Sequence, residues 1–402
     1  MGILQTLHLK KQPNAITVDE THKSKKPPNT AFRQQRLRSW QPILSPQSMI
    51  PTLTVIACIF APIGIALLIA VLRVQHVVLD YSQCDTLAST TGFSKIPSKY
   101  VHNYFRTSTD FDPEWKLVRA SSDNRDTCQL KFEIPHDIGS PIYMYYKLTN
   151  FYQNHRKYVE SYDLDQLKGK AVDADSLNDF CKPLRSENGK PIYPCGLIAN
   201  SMFNDTLSTT LLGADSNTKD YQLSSKNVAW KTDRKVYKKT SYNASDIVPP
   251  PNWQKMFPNG YTEENLPDIS QWQEFLVWMR TAGLPSFYKL SSKNEKDTLP
   301  AGTYTMEIEL NYPVSYFGGT KSFVLTTNSV IGGRNVSLGV VYLIVAGVCL
   351  LFGAMFLMKV IFKPRKLGDH SYLNFGHNDD QEGDNSSARN LNEQLTPLRD
   401  IL

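Results

Sequence analysis

The 402-residue chain lacks the short motifs that identify many enzymes. It contains no G-x-S-x-G nucleophile elbow, no H-E-x-x-H zinc motif and no G-x-x-x-x-G-K-[ST] phosphate loop. Glycine and proline occur 21 and 24 times, which is ordinary usage and excludes a collagen-like or low-complexity chain. No internal repeat is visible. We therefore expect a protein that is not an enzyme, with no catalytic residue, no metal and no cofactor of its own.

An excess of positive charge is absent except near the N-terminus. The chain carries 44 basic and 38 acidic residues, a net charge of +6. Residues 1–49 hold 8 of the basic and 2 of the acidic residues, so this segment alone accounts for +6. Because the excess adjoins an uncharged apolar run, it suits anionic lipid headgroups, and nucleic acid is a poor candidate partner.

Two long apolar runs, one near each end, predict two transmembrane helices at 50–72 and 338–362. The first run has no charged residue, and the second has none before Lys359. Each provides the roughly 20 apolar residues that cross about 30 Å of hydrocarbon as a helix. The first is not a cleavable signal, because 49 residues precede it and it exceeds a signal core of about 7–15 residues.

Basic residues close to the two runs predict the orientation. They precede the first run and follow the second: Arg33, Arg36, Arg38, Lys363, Arg365 and Lys366. By the positive-inside rule both termini are cytoplasmic. Residues 73–337 are then a lumenal or extracellular domain. Residues 1–49 form a cytoplasmic segment and 363–402 an acidic, disordered cytoplasmic tail.

Cysteines and glycosylation sequons agree with this partition. Four of the six cysteines fall within 73–337: Cys84, Cys128, Cys181 and Cys195. An even number there implies two disulfides with three possible connectivities, of which sequential pairing is the simplest. Sequons in the same domain are Asn204, Asn243 and Asn335. The last lies about three residues from the second span, where a glycosylating enzyme reaches it least readily.

The 73–337 domain is expected to be β-rich with helical insertions. The clearest strand patterns are 143–148, 304–310 and 322–327. In the second of these, Met306, Ile308 and Leu310 alternate with polar residues, which is typical of a half-buried strand. Helical patterns are fewer, at 163–167 and 271–280.

The segment 32–46, immediately before the first span, mixes arginine with large apolar side chains. Its notable residues are Phe32, Arg33, Arg36, Leu37, Trp40, Pro42 and Ile43. One interpretation is an interfacial anchor, with arginine and tryptophan at headgroup depth. The other is a docking strip for a partner, and the two are compatible.

Several segments together resemble one known family, the accessory β-subunits of type IV P-type ATPases, which are the phospholipid flippases. The family takes its name from cell-division-cycle mutant fifty, and these segments are most similar to those of budding-yeast-type members. The resemblance covers about 27–375. Its carriers are FRQQRLRSWQPILSP before the first span, YYKLTNFYQNHRKYV at 145–159, CKPLRSENGKPIYPCGLIANSMFNDT at 181–206, VWMRTAGLPSFYKL at 277–290, LPAGTYTMEIELNYPV at 299–314 and GGRNVSLGVVYLIVAG at 332–347.

The resemblance implies a non-catalytic subunit that forms a heterodimer with a type IV P-type ATPase and lies among membrane lipids. Such a subunit supports the folding of the ATPase, its exit from the endoplasmic reticulum to Golgi, endosome or plasma membrane, and its transport of phospholipid from the exoplasmic to the cytoplasmic leaflet. It also implies an antiparallel β-sandwich ectodomain, disulfides Cys84–Cys128 and Cys181–Cys195, glycans at the sequons, and partner contact along 32–46. No small-molecule substrate is expected.

Two alternatives share parts of this pattern. A subunit of a two-span ligand-gated channel has the same topology, but such families carry more than four extracellular cysteines, and the spans here lack polar pore-lining residues. A membrane-tethered lumenal enzyme is disfavoured by the missing catalytic constellation.

Overall fold

The computed structural model describes residues 29–37, 39, 45–105, 111–120, 125–327 and 333–362. The chain divides into two compact units, one formed by 56–348 and the other by Met1–Val55 with Cys349–Leu402. The cytoplasmic tail predicted to be disordered lies outside the described residues, as does most of the segment before residue 32.

Two helices are long and apolar enough to cross a membrane, and both lie where the sequence predicts them. The α-helices in chain order are α1 Pro46–Leu72, α2 Cys84–Leu87, α3 Arg156–Val159, α4 Leu164–Leu167, α5 Leu197–Asn200, α6 Lys231–Val236, α7 Gln273–Met279 and α8 Ser337–Phe362. Helix α1 begins at Pro46, four residues before the apolar run that starts at residue 50. Ser45 Oγ accepts a hydrogen bond from Ser48 N (3.4 Å), and proline at the first helical position already has a helical φ angle.

Within the 56–348 unit, α1 and α8 pack closely through glycine. A Cβ on Gly64 would lie 3.0 Å from the Leu343 side chain, and one on Gly339 would lie 2.8 Å from Leu68. The Phe60 and Tyr342 rings stack with centroids 5.0 Å apart. Small residues allow this close approach, which is how helices associate when lipid and side chains are equally apolar.

Between the two spans the chain forms a β-rich domain. Its strands in chain order are β1 His76–Asp80, β2 Ser94–Lys95, β3 Val101–Tyr104, β4 Glu114–Val118, β5 Thr127–Ile134, β6 Ile142–Leu148, β7 Ser186–Glu187, β8 Lys190–Pro191, β9 Thr206–Leu207, β10 Thr210–Gly213, β11 Tyr221–Gln222, β12 Phe287–Asn294, β13 Gly302–Glu309 and β14 Lys321–Thr327. The three predicted strands are present as β6, β13 and β14, with ends that differ by one or two residues.

These strands make two main antiparallel sheets. The five-stranded sheet has the order β12-β6-β14-β1-β3. The larger sheet has the order β11-β10-β13-β5-β4-β2, with β9 also paired to β13, and β7 and β8 form a separate hairpin. Strand β1 follows α1, strand β14 precedes α8, and the two pair side by side. Both membrane helices therefore connect to the middle of the same sheet.

The two main sheets pack face to face as a β-sandwich. Alternation along each strand buries one side, as in β13, where Tyr304, Met306 and Ile308 are fully buried. Phe132 of β5 meets Phe323 of β14 across the interface, with ring centroids 5.7 Å apart. The alternation that predicts β13 from sequence is thus the alternation that fills the core.

A second, aromatic core lies in the insertion between β6 and β12, residues 149–286. Trp278 of α7 donates its indole N–H to Ile198 O (2.8 Å), and Trp253 donates to Ala199 O (2.9 Å). Lys289 of β12 donates from Nζ to Val277 O (3.0 Å) at the end of α7. The insertion is therefore held by buried rings, and the indole N–H groups of Trp253 and Trp278 both have backbone partners.

Candidate functional site

The disulfide Cys84–Cys128 joins the two halves of the sandwich. Cys84 begins the short helix after β1 of the five-stranded sheet, and Cys128 lies in β5 of the larger sheet, with 6.2 Å between the Cα atoms. Both cysteines are fully buried. A loop closed over a sequence separation of 44 residues restricts the unfolded chain by about 4 kcal/mol in the chain-entropy model.

The disulfide Cys181–Cys195 closes a short loop against the aromatic insertion, with 5.7 Å between the Cα atoms. Cys195 N donates to the buried Gln166 Oε1 (3.0 Å), and Tyr261 Oη donates to Tyr193 O (2.7 Å). The loop contains the β7–β8 hairpin. Its backbone is therefore anchored from two sides of the insertion in addition to the covalent bond. Both disulfides that the resemblance implies are present.

A buried ion pair forms a second link between the sheets, and no sequence pattern predicted it. Asp205 Oδ2 lies 2.7 Å from Lys321 Nζ, and the two side chains are 0% and 7% exposed. Tyr81 Oη donates to the same oxygen (3.0 Å). The backbone N–H groups of Asn311 and Tyr312 both donate to Oδ1 (2.6 Å each). The carboxylate thus accepts four charge-assisted hydrogen bonds.

This cluster, called here the Asp205 hub, gathers four separate segments. Tyr81 follows β1 and Lys321 begins β14, both in the five-stranded sheet. Asp205 precedes β9 and Asn311 follows β13, both in the larger sheet. Burial and the Asp205 carboxylate raise the pKa of Tyr81 well above its usual value. A lysine opening the apolar run KSFVLTT and an aspartate inside a sequon were the only sequence signals of the hub.

The three sequon asparagines have different environments. Asn243 is exposed, and its Nδ2 donates to Asp246 Oδ2 (3.0 Å). Asn204 is partly buried beside the Asp205 hub. Asn335 is exposed, but its Oδ1 accepts a hydrogen bond from Ser337 N (3.0 Å) at the first residue of α8. The side-chain oxygen of Asn335 therefore accepts a hydrogen bond from the first backbone N–H of α8.

The predicted docking strip is described only in part. Residues 31–35 form a turn, in which Arg36 N donates to Ala31 O (2.7 Å). The Phe32 and Leu37 side chains are 76% and 64% exposed, and Arg33 and Arg36 are exposed as well. Trp40, Pro42 and Ile43 lie outside the described residues. The described part of the strip thus presents two large apolar side chains beside two arginines.

The described ranges contain no group of three or more His, Cys, Asp or Glu side chains that could hold a metal ion. The domain is held together by two disulfides, the buried Asp205–Lys321 ion pair and its apolar cores.

Comparison with known proteins gives these features a family context. A model of the LEM3 (ligand-effect modulator 3) family / CDC50 family matches residues 67–366. The chain is 54% identical over 402 residues, all of both chains, to the phospholipid-transporting ATPase accessory subunit CRF1 of Saccharomyces cerevisiae. It is 41% identical over 370 residues, 87% of this chain and 91% of the relative, to the phospholipid-transporting ATPase accessory subunit CDC50 of Chaetomium thermophilum.

The similarity extends to animals. The chain is 36% identical over 353 residues, 84% of this chain and 90% of the relative, to cell cycle control protein 50A of Bos taurus. The family match includes the C-terminal end of α1, the whole sandwich and all of α8. The resemblance drawn from the sequence segments is confirmed: the chain is a member of the LEM3/CDC50 family.

Proposed function

We propose that this chain is the non-catalytic accessory subunit of a phospholipid-transporting P-type ATPase. The observation that carries the proposal is the full-length similarity to a protein named as such an accessory subunit, at 54% identity. The catalytic work belongs to the ATPase, and this chain has no substrate, metal or cofactor of its own. The two form a heterodimer within the membrane.

The proposed topology puts both termini in the cytoplasm and the sandwich in the lumen or outside the cell. It is supported by the basic residues that flank the outer ends of α1 and α8. Two disulfides between the two spans support it too, because disulfides persist in oxidising compartments. We further propose glycans at Asn204 and Asn243, with Asn335 the weakest of the three sequons, and partner contact along the strip 32–46.

The proposed mechanism is mass action on the ATPase. Two membrane helices and a rigid lumenal domain add contacts that only the folded partner can make, so binding favours the assembled state over unfolded or misassembled ones. If this chain contacts some transport states more than others, it also shifts the transport cycle between them. Assembly then precedes delivery from the endoplasmic reticulum to Golgi, endosome or plasma membrane.

Deletion of the chain tests the proposal in cells. We expect the partner ATPase to stay in the endoplasmic reticulum and uptake of a fluorescent phospholipid to fall, with both restored when the chain is expressed again. Affinity purification of the chain from detergent, followed by mass spectrometry, identifies the ATPase. Normal ATPase delivery and normal lipid uptake in the deletion would contradict the proposal.

A cysteine pair tests whether the lumenal fold is needed for assembly. Cys181→Ser opens the loop that packs on the insertion, whereas Cys58→Ser changes a cysteine of α1 that forms no disulfide. Closing a loop of about 15 residues contributes roughly 3 kcal/mol, so Cys181→Ser is expected to reduce the recovered ATPase and Cys58→Ser to leave it unchanged. Equal recovery with both variants would argue against a structural role for the disulfide.

A further inference from the structure

The outer face of the five-stranded sheet carries a cavity at its membrane-side end. Strand β1 begins at His76, four residues after α1 ends at Leu72, a chain length of at most about 14 Å. A helix of 27 residues is about 40 Å long and exceeds the roughly 30 Å hydrocarbon core, so it ends among the headgroups. This end of the sheet is therefore within reach of lipid headgroups.

The cavity has a volume of about 530 Å³, within the usual range for ligand pockets. Its lining residues are His76, Val78, Tyr145, Tyr288, Val324, Thr326, Gly333, Arg334 and Asn335. Strand register places His76 opposite Thr326, and Val324 opposite Tyr145. Since paired residues share a face, one wall is the outer side of the sheet, and the segment just before α8 forms the other.

Positive charge in this cavity is not balanced. The Arg334 guanidinium lies over the Tyr104 ring, with its carbon 3.2 Å from the ring centroid. Among the described residues no carboxylate lies within 4.0 Å of it. Within that same part of the chain, buried Arg334 Nη1 and His76 Nδ1 have no hydrogen-bond partner. Burial, with Arg334 and His102 nearby, lowers the pKa of His76, as expected where positive charges crowd together.

We propose that this cavity binds the phosphodiester of a phospholipid headgroup from the adjacent leaflet. The planar Arg334 fork matches phosphate oxygens, and its stacking on Tyr104 fixes the direction of the fork. The Tyr145 and Tyr288 rings, in edge-to-face contact with centroids 6.5 Å apart, provide an aromatic wall. A half-buried guanidinium with a buried, unpartnered Nη1 and no carboxylate nearby is stabilised by an anion, and phosphodiesters are the anionic groups at this depth. The proposal does not depend on the accessory role.

Photolabelling of the full-length chain in nanodiscs tests this without the ATPase. The nanodiscs contain phosphatidylcholine and a phosphatidylcholine analogue with a photoreactive headgroup, and labelled peptides are read by mass spectrometry. We expect labelling at Tyr288 or within 333–336. Loss of one charge-assisted contact corresponds to about a tenfold loss of affinity, so Arg334→Gln is expected to reduce labelling about tenfold.

Matched controls separate binding from folding. Arg73→Gln removes the same charge close to the membrane, at a residue outside the cavity lining, and is expected to label as wild type. Arg334→Lys keeps the charge but loses the planar fork and its stacking on Tyr104, and is expected to label between wild type and Arg334→Gln. Should Arg334→Gln fail to fold, Tyr288→Leu replaces it, because Tyr288 is 52% exposed and its loss is expected to weaken labelling within 333–336.

The competitors identify the source of the phosphate. Soluble glycerophosphocholine is expected to suppress labelling, and inorganic phosphate at the same concentration to suppress it far less. Suppression by inorganic phosphate alone would assign the cavity to a free phosphate ion and overturn the headgroup proposal. Equal labelling of Arg334→Gln and Arg73→Gln, or no labelling at the cavity, would overturn the site itself.

Discussion

Asp205→Asn is the sharpest test of how the sandwich is held together. The substitution keeps the shape of the side chain and the N-x-T pattern at Asn204, but it replaces one carboxylate oxygen with an amide donor. That donor faces either Lys321 Nζ and Tyr81 Oη or the backbone N–H groups of Asn311 and Tyr312. Lys321 then keeps its bond to Tyr312 O (2.8 Å) and loses its counter-ion. Removing one partner of a buried pair costs about 3–5 kcal/mol, because the other charge stays buried and uncompensated.

Lys321→Met is expected to be milder than Asp205→Asn. The Asp205 carboxylate would retain three of its four donors, namely Tyr81 Oη and the backbone N–H groups of Asn311 and Tyr312. In the double variant no buried ammonium remains. Its loss of stability is therefore expected to be smaller than the sum of the two single losses, since residues in one network couple.

The assay is thermal unfolding of the purified full-length chain in detergent, followed by tryptophan fluorescence. For a domain of this size, 3–5 kcal/mol corresponds to a fall in Tm of roughly 10 °C. Asp112→Asn is the matched control, because the Lys95–Asp112 pair is 64% and 62% exposed and contributes at most about 1 kcal/mol. If Asp205→Asn lowers Tm no more than Asp112→Asn, the hub does not stabilise the sandwich. If the single losses simply add, Asp205 and Lys321 do not act as a coupled pair.

Three further predictions concern single positions. Gly196 has a φ of +98°, and a Cβ there would overlap the Ser161 carbonyl, whereas a Cβ on Gly92 would meet open space. In thermal unfolding, Gly196→Ala should therefore lower the free energy of unfolding by more than about 2 kcal/mol, and Gly92→Ala should change it little. Burial lowers the pKa of Lys289 to about 7. Above that pH the folded chain holds Lys289 neutral while the unfolded chain keeps it protonated, so the free energy of unfolding should rise from pH 7 to about 9 in wild type. The rise should be absent in Lys289→Met. Asn335→Gln should leave the glycosidase-sensitive mass unchanged, because Asn335 lies two residues before α8 begins at Ser337, and a lost glycan would contradict this expectation.

The spans and the sandwich strands were predictable because each depends on a periodic or continuous apolar pattern. The run 50–72 has no charge, and the residues 304–310 alternate strictly, so local sequence determines both elements. Helix α1 starts before the apolar run, at Pro46, where Ser45 and proline form a recognisable start signal. The length and apolar character of the run predict a membrane helix, but they do not include the capping residues that precede it.

The Asp205 hub and the headgroup cavity were not predictable, because both are assembled from distant segments. Tyr81, Asp205 and Lys321 are separated by more than 100 residues at each step, and only the pairing of β1 with β14 and the position of β9 bring them together. Arg334, just before α8, is oriented by the Tyr104 ring of β3, which is far away in the sequence. Neither set has a spacing that a pattern search could detect, since the contacts are set by sheet order.

The two ends of the five-stranded sheet are stabilised by different means, and this separates two classes of variant. At the membrane-side end, β1 and β14 continue toward α1 and α8, and the headgroup cavity lies open there. At the opposite end of the same strands, about 17 Å away for a five-residue strand, Tyr81 and Lys321 enter the Asp205 hub and Cys84 is tied to the larger sheet. Substitutions in the hub should therefore unfold the domain, whereas substitutions in the cavity should change lipid contact at unchanged Tm. A cavity variant that unfolds as readily as Asp205→Asn would show that the membrane-side end also holds the sandwich together.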